Sequence, residues 1–303
     1  KGLTVSGSGE LDNGWTFSTS TYLSDAMGLS SHSTSLTMGS LGTITAGQGW
    51  GGNSTGFDEE VPQAYEQVSD LSAAGSSNSV GSFMDNGGLT WAVPSFDLGG
   101  ASASLVLGWS PNADDAGTNN GGVGTRSGSW GDGVDAGLTI ATDMGLTLGV
   151  YAATRENNQP VPSGTDAVED EFNGVYYIKY SSGPVSIGFS QSHLDSGVSG
   201  GAGTATTTAK VIRTAGGYFQ EKQYSIAFNV NDNVSISYTD ASDTYNAQGD
   251  GIADVDQDSE ALQVAYSMGG MSIKAYQMER TNPGYDSDAT KHTATEISLG
   301  LAF

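Results

Sequence analysis

The chain of 303 residues carries 34 acidic against 10 basic side chains, a formal net charge of −24. Recognition of a phosphate backbone needs clustered Lys and Arg, so this balance argues against a nucleic-acid partner. Cysteine is absent, which removes disulfide and thiol chemistry, and the three histidines (His32, His193, His292) have no zinc-type spacing.

The 45 glycines, with abundant Ser and Thr, suit strands and turns rather than long helices. No apolar run of about 18 residues exists, so no transmembrane helix is expected. The opening KGLTVSGSGEL lacks the apolar core of a signal peptide, so any export signal is expected to be gone already. Alternation of apolar with small or polar residues begins at once. LTVSGSGEL turns at NG into WTFSTSTYL, and STSLTMGS meets LGTITAGQ. LTWAVPSF turns at DLGG into ASASLVLGW, VDAGLTIAT turns at DMG into LTLGVYAATR, and FNGVYYIKYSS turns at GP into VSIGFSQSH. QYSIAFNV turns at NDN into VSISYTD, ALQVAYSM turns at GG into MSIKAYQM, and TATEISLGLAF ends the chain. Gly and Asn reverse hairpins cheaply because they tolerate positive φ.

Tight turns alternate with longer polar segments over residues 26–31, 50–87, 111–132, 157–170, 196–220, 245–258 and 281–292. Short connections therefore lie at one end of the strands and long ones at the other, as in an up-and-down antiparallel barrel. Strands of about 9–11 residues suit a tilted bilayer crossing. Trp15, Trp91, Trp109, Tyr180 and Phe303 sit near strand ends, where an interfacial girdle would lie. The opposite face is Ser, Thr and Gly, too small to fill a core but suited to a wet lumen. The expected fold is all-β, a single transmembrane antiparallel barrel over 1–303. About 15 strands are visible, and 16 are expected because bacterial single-chain barrels have even numbers. The first and last visible strands both descend, so the first strand of the barrel is expected to be missing from this sequence. The alternative is an uncounted strand within AKVIRTAGGYF.

Parity places Arg155, Lys179, Lys274, Arg280 and Glu296 on the lumen wall. Lys179 and Lys274 lie inside strands, where a charge facing lipid would cost about 2–4 kcal/mol at mid-bilayer. For Arg155 and Arg280 a rim or loop position is equally compatible. In DGIADVDQDSE, Asp254, Asp256, Asp258 and Glu260 fall at alternate positions and are candidate calcium ligands, although the EF-hand pattern is not met. The plainer reading is a solvated acidic loop. SQSHLDSG brings His193 near Asp195, yet no nucleophile elbow or partner spacing accompanies it, so no enzyme is expected.

The stretch LGTITAGQGWGGNSTGFDEEVPQAYEQVSDL, with the polar run after it, resembles the corresponding region of general bacterial outer-membrane porins. The pattern is most similar to that of trimeric porins of alphaproteobacteria, and it extends over nearly the whole chain. The resemblance implies an outer-membrane homotrimer for passive diffusion of small hydrophilic solutes and ions, embedded in lipid and lipopolysaccharide and requiring no cofactor. It makes 50–87 an inserted constriction loop, with Asp58, Glu59, Glu60, Glu66 and Asp70 at the constriction and Asp85 undecided. Those acids imply a preference for cations. The family's basic wall is not matched, since Thr4, Ser6, Ser8, Glu10, Thr16, Ser18, Ser20, Thr43 and Thr45 occupy the early lumen positions. Phe303 resembles the C-terminal assembly signal of such barrels. The competing reading is a secreted, calcium-binding β-rich adhesin or surface-layer protein.

Overall fold

The computed structural model describes residues 2–25, 28–71, 80–81, 87–113, 130–158, 167–195, 197–199, 217–247 and 253–302. The sheet opens with β1 (Leu3–Glu10), β2 (Thr16–Leu23), β3 (Leu29–Thr37), β4 (Thr43–Gln48) and β5 (Gly88–Ala92). A two-residue β6 (Phe96–Asp97) leads to β7 (Ala101–Ser110), β8 (Trp130–Thr142) and β9 (Leu146–Asn157). Next come β10 (Ala167–Val168), β11 (Glu171–Ser182), β12 (Val185–Asp195) and β13 (Val198–Ser199). β14 (Gly217–Asn231), β15 (Val234–Ala247), β16 (Val255–Met268), β17 (Met271–Thr281) and β18 (His292–Leu301) complete the chain. Sixteen of these strands form one antiparallel up-and-down sheet, with β6 off the main path. β10 and β13 pair with each other, a separate ribbon built from two long connections.

The stretch LTWAVPSF alternates like one strand but is broken. Pro94 has no N–H for the ladder, and three residues oppose two between Ala92↔Val106 and Phe96↔Ala103. With β5 and β6 taken as one interrupted strand, fifteen remain on the path, the number the alternation predicts. Its ends, β1 and β18, are each paired on one side among the described residues and run in the same direction. Several strands exceed the expected length: β8 has 13 residues, β14 has 15, and β15 and β16 have 14 each. Pairing in these strands continues beyond the apolar belt into polar ribbons such as VDQDSE and DASDTYNA, so hydrogen bonding outlasts the hydrophobic signal.

The two faces differ in what covers them. Tyr180, Ile187, Ile226, Tyr238 and Leu262 lie directly opposite one another across five strands. All are exposed, Leu262 to 57%. A row of this kind suits hydrocarbon and would be a liability in water. On the other face the buried apolar residues do not pack sheet against sheet. They gather where the segment after β4 meets the wall: Phe57, Tyr151, Val175 and Tyr177 in one cluster, Val68, Leu71, Ala241, Ala261 and Met278 in another. A third cluster joins Tyr285, from the connection between β17 and β18, to Leu194, Phe219 and Tyr245, so the core is an interface between loops and the inner face of the sheet.

Candidate pore constriction

The chain leaves β4 through Gly49, Gly51 and Gly52, all at positive φ (61°, 76° and 61°), which side-chain-bearing residues seldom adopt. A single 3-10 turn (Ser54–Gly56) then delivers Phe57 to the wall. Its ring stacks on Tyr151 at 5.3 Å and lies 6.2 Å from Tyr177. Gly137 makes the seat, since a Cβ there would overlap the Phe57 ring, and Gly149 does the same for Tyr177. Beside this seat, Asn53 Nδ2 donates to Asp135 Oδ1 at 2.7 Å and the Tyr151 hydroxyl donates to Asp135 Oδ2 at 3.0 Å.

From there the segment crosses the wall strand by strand. Pro62 rests on Gly188, and the Ser225 hydroxyl donates to the Pro62 carbonyl. Ala64 N–H donates to Ser237 Oγ at 2.9 Å. Gln263 clamps the next turn: its Oε1 accepts from Tyr65 and Glu66 N–H (2.8 and 3.0 Å), and its Nε2 donates to the Glu66 carbonyl (2.7 Å). The Tyr65 hydroxyl reaches Glu296 Oε1 on β18 at 2.7 Å. Arg280 Nη2 donates to the Val68 carbonyl at 3.0 Å while its Nε donates to Ser259 Oγ at 2.9 Å. Residues 53–68 therefore touch strands from β8 to β18, which requires the wall to curve around them.

The acids expected at a constriction separate by exposure. Asp58 and Glu59 are buried (3% and 2%), whereas Glu60 and Glu66 are half-buried and Asp70 is exposed. Burial pushes the Glu59 carboxyl above its usual range. Glu60 forms an ion pair with Lys179 of β11. Lys274 of β17 lies 5.2 Å from the Tyr65 ring centre, a cation–π distance. Arg155 is buried and committed elsewhere. It donates to Glu171 Oε2 at 2.6 Å and to the Ala113 carbonyl at 2.7 Å, with its guanidinium 3.6 Å over Trp130. Glu296 is exposed on the same face as Tyr276 and Ser298. On the first four strands, register puts Thr4, Ser6, Ser8 and Glu10 on one face with Ser18, Ser20, Ser35 and Thr45. The Ser35 and Thr45 hydroxyls are 2.8 Å apart, and this early wall carries no basic side chain.

Asp256, Asp258 and Glu260 occupy the exposed face of β16, and Asp254 precedes it. Asp258 and Asp256 accept hydrogen bonds from Ser242 (2.7 Å) and Thr244 (2.6 Å) on β15. Among the described residues no group of three or more acidic or histidine side chains is arranged to hold a metal ion. Asp85 and Phe303 lie outside the described residues. The sequence offered no signal for Gly137, Gly149 and Gly188 as seats, because a glycine inside a strand reads as a turn or a weak point. Gln263 and Ser237 were equally silent; parity alone would place them on the inner face.

No protein-family model matches the chain, and no curated protein sequence does. Solved structures match throughout its length. An anion-selective porin from Comamonas acidovorans is 11% identical, with a TM-score of 0.62, covering 100% of this chain and 89% of that one. A porin refined at 1.8 Å resolution is 13% identical with a TM-score of 0.61, covering 99% and 91%. The outer-membrane protein OmpT of Vibrio cholerae is 11% identical with a TM-score of 0.58, covering 98% and 87%. At such identities the likeness speaks for the fold. The chain has the all-β fold of the bacterial porin barrels.

Proposed function

We propose that this chain is an outer-membrane channel through which small hydrophilic solutes and ions diffuse passively, with a preference for cations. The observation that carries the reading is the segment 53–68 laid across the inner wall, opposite a hydroxyl-lined face, while an unbroken apolar row points outward. A secreted adhesin would have to present that row to water. Cation preference rests on which charges remain accessible. Among the described wall cations Lys179 is paired with Glu60, Arg155 and Arg280 are buried, and half-buried Lys274 lies against the Tyr65 ring, so it is outnumbered by Glu66, Asp70 and Glu296, which keep contact with solvent. The fold does not set this sign, since one solved structure of the same fold is described as anion-selective. A homotrimer is the proposed assembly, supported by the trimer form of the Vibrio cholerae OmpT structure. Swelling of protein-loaded liposomes in sugars of increasing size tests diffusion. Small sugars should enter quickly and larger ones progressively more slowly. Liposomes that respond like protein-free ones would refute the channel.

A further inference from the structure

The connection between β17 and β18, residues 282–291, has the composition of a solvated loop, NPGYDSDATK, yet Tyr285 within it is only 6% exposed. Its ring lies 5.0 Å from that of Phe219 on β14 and 6.3 Å from that of Tyr245 on β15, and those two rings are 5.2 Å apart. Leu194 of β12 completes the cluster. Polar contacts follow the same path. The Tyr285 hydroxyl donates to Asp243 of β15, the Gly284 N–H donates to Gln257 Oε1 of β16 at 2.7 Å, and Asn282 Nδ2 donates to the Asp256 carbonyl at 2.8 Å. Phe219, Asp243, Tyr245 and Gln257 all belong to the buried inner face of their strands. The connection therefore folds back across β16, β15 and β14 on the inside of the wall.

Its backbone is shaped for that course. The Tyr285 N–H donates to the Asn282 carbonyl at 2.9 Å, closing a tight turn, and Asn282 and Tyr285 have φ of 49° and 60°. Asparagine visits the left-handed region readily, but a bulky tyrosine seldom does. Such a conformation persists where the surroundings over-determine it, and here rings and hydrogen bonds from three strands do so. Ser287 and Asp288, at the tip, are exposed. The connection thus turns a ring to the wall and polar groups to water, as the constriction loop does with Phe57 and Glu66.

Position along β15 separates the two segments. Ala64 N–H bonds to Ser237, and Val68 shares a cluster with Ala241, whereas Tyr285 meets Asp243 and Tyr245. Tyr245 lies nearer the end of the long connections, about 13 Å beyond Ala241 at a rise of about 3.3 Å per residue. We propose that residues 282–291 form a second restriction of the lumen, in series with the constriction loop and nearer the long-connection mouth, and that Tyr285 is the residue that positions it. The functional consequence rests on the channel reading above: solutes would be screened by size at the mouth before they reach residues 53–68.

The chain has no cysteine, so a nitroxide on Ser287→Cys reports on this connection alone. Its motion should be restricted when Tyr285 is present and become severalfold faster with Tyr285→Ala. Liposome swelling reads the restriction itself. Adding Tyr285→Ala to Phe57→Ala should speed entry of the larger sugars severalfold over Phe57→Ala alone and leave the smallest sugars unchanged. Heat-modifiable migration on gels checks folding; Gln257→Leu, which removes the acceptor of the Gly284 N–H, takes the place of Tyr285→Ala if that variant does not fold. The proposal is overturned if the nitroxide is equally mobile with and without Tyr285. It is also overturned if the connection is released but the double variant admits large sugars no faster than Phe57→Ala, which would leave Tyr285 a stabiliser of the wall. A folded protein that passes no sugar would defeat the channel reading, while the nitroxide still decides whether the connection is docked.

Discussion

Replacing Phe57 with alanine should release the first half of the loop from the wall. The ring is 4% exposed, stacks on Tyr151 at 5.3 Å, and fits a recess that exists because residue 137 is glycine. Truncating a buried phenylalanine costs about 3–5 kcal/mol in a well-packed site. At about 1.4 kcal/mol per factor of ten, even the lower figure moves the docked-to-released ratio by roughly a hundredfold. The Gln263 clamp and the Arg280 contact lie further along and should still hold residues 65–68. The loss should therefore be local: protease sensitivity between residues 50 and 62, added conductance noise, and faster entry of larger sugars into liposomes. Gly137→Ala should give the same phenotype with Phe57 intact, since the new Cβ overlaps the ring and overpacking costs about 1–3 kcal/mol. If both variants are as quiet and protease-resistant as the native protein, Phe57 does not anchor the loop and the description of the inner face fails.

Lys179→Gln should strengthen cation preference and Glu60→Gln should weaken it, read as opposite shifts of reversal potential. Each partner is 29% exposed, so stability should change by no more than about 1 kcal/mol in either variant. Arg280→Met should lower the temperature of heat modification, because removing one partner from a buried charge cluster costs about 3–5 kcal/mol; an unchanged temperature would show that the buried acids are already neutral without it. Ile226→Arg, on the outward row, should reduce folding stability in lipid vesicles by about 2–4 kcal/mol if that position lies near mid-bilayer. A neutral result would put this face in water.

Much of the architecture was legible because a β-strand writes its two faces into alternate positions. Glycine-rich reversals such as DNG and DMG marked one end of the strands, and long polar segments marked the other. The break at Pro94 was legible in principle but masked by the alternation on either side of it. Strand ends were harder. In DGIADVDQDSE the carboxylates repeat with the period of a strand and the composition of a loop, and pairing with β15 carries Asp256 and Asp258 into β16. The loop's destination was not legible at all. Whether the segment lies in water or against β14 depends on contacts such as that of Pro62 with Ser225, 163 positions apart in sequence, and Pro62 finds its place because Gly188 has no side chain. Composition showed that the segment was acidic. Only the fold shows that Asp58 and Glu59 turn to the wall while Glu66 and Asp70 keep contact with water.

The reversal potential of the purified, folded protein in a planar bilayer under a salt gradient bears most directly on the channel itself. Stepwise conductance with a reversal potential displaced toward the cation's equilibrium value is the predicted result. An anion-directed displacement would contradict the assignment of Glu66, Asp70 and Glu296 as the accessible charges, and absence of any conductance would contradict the channel.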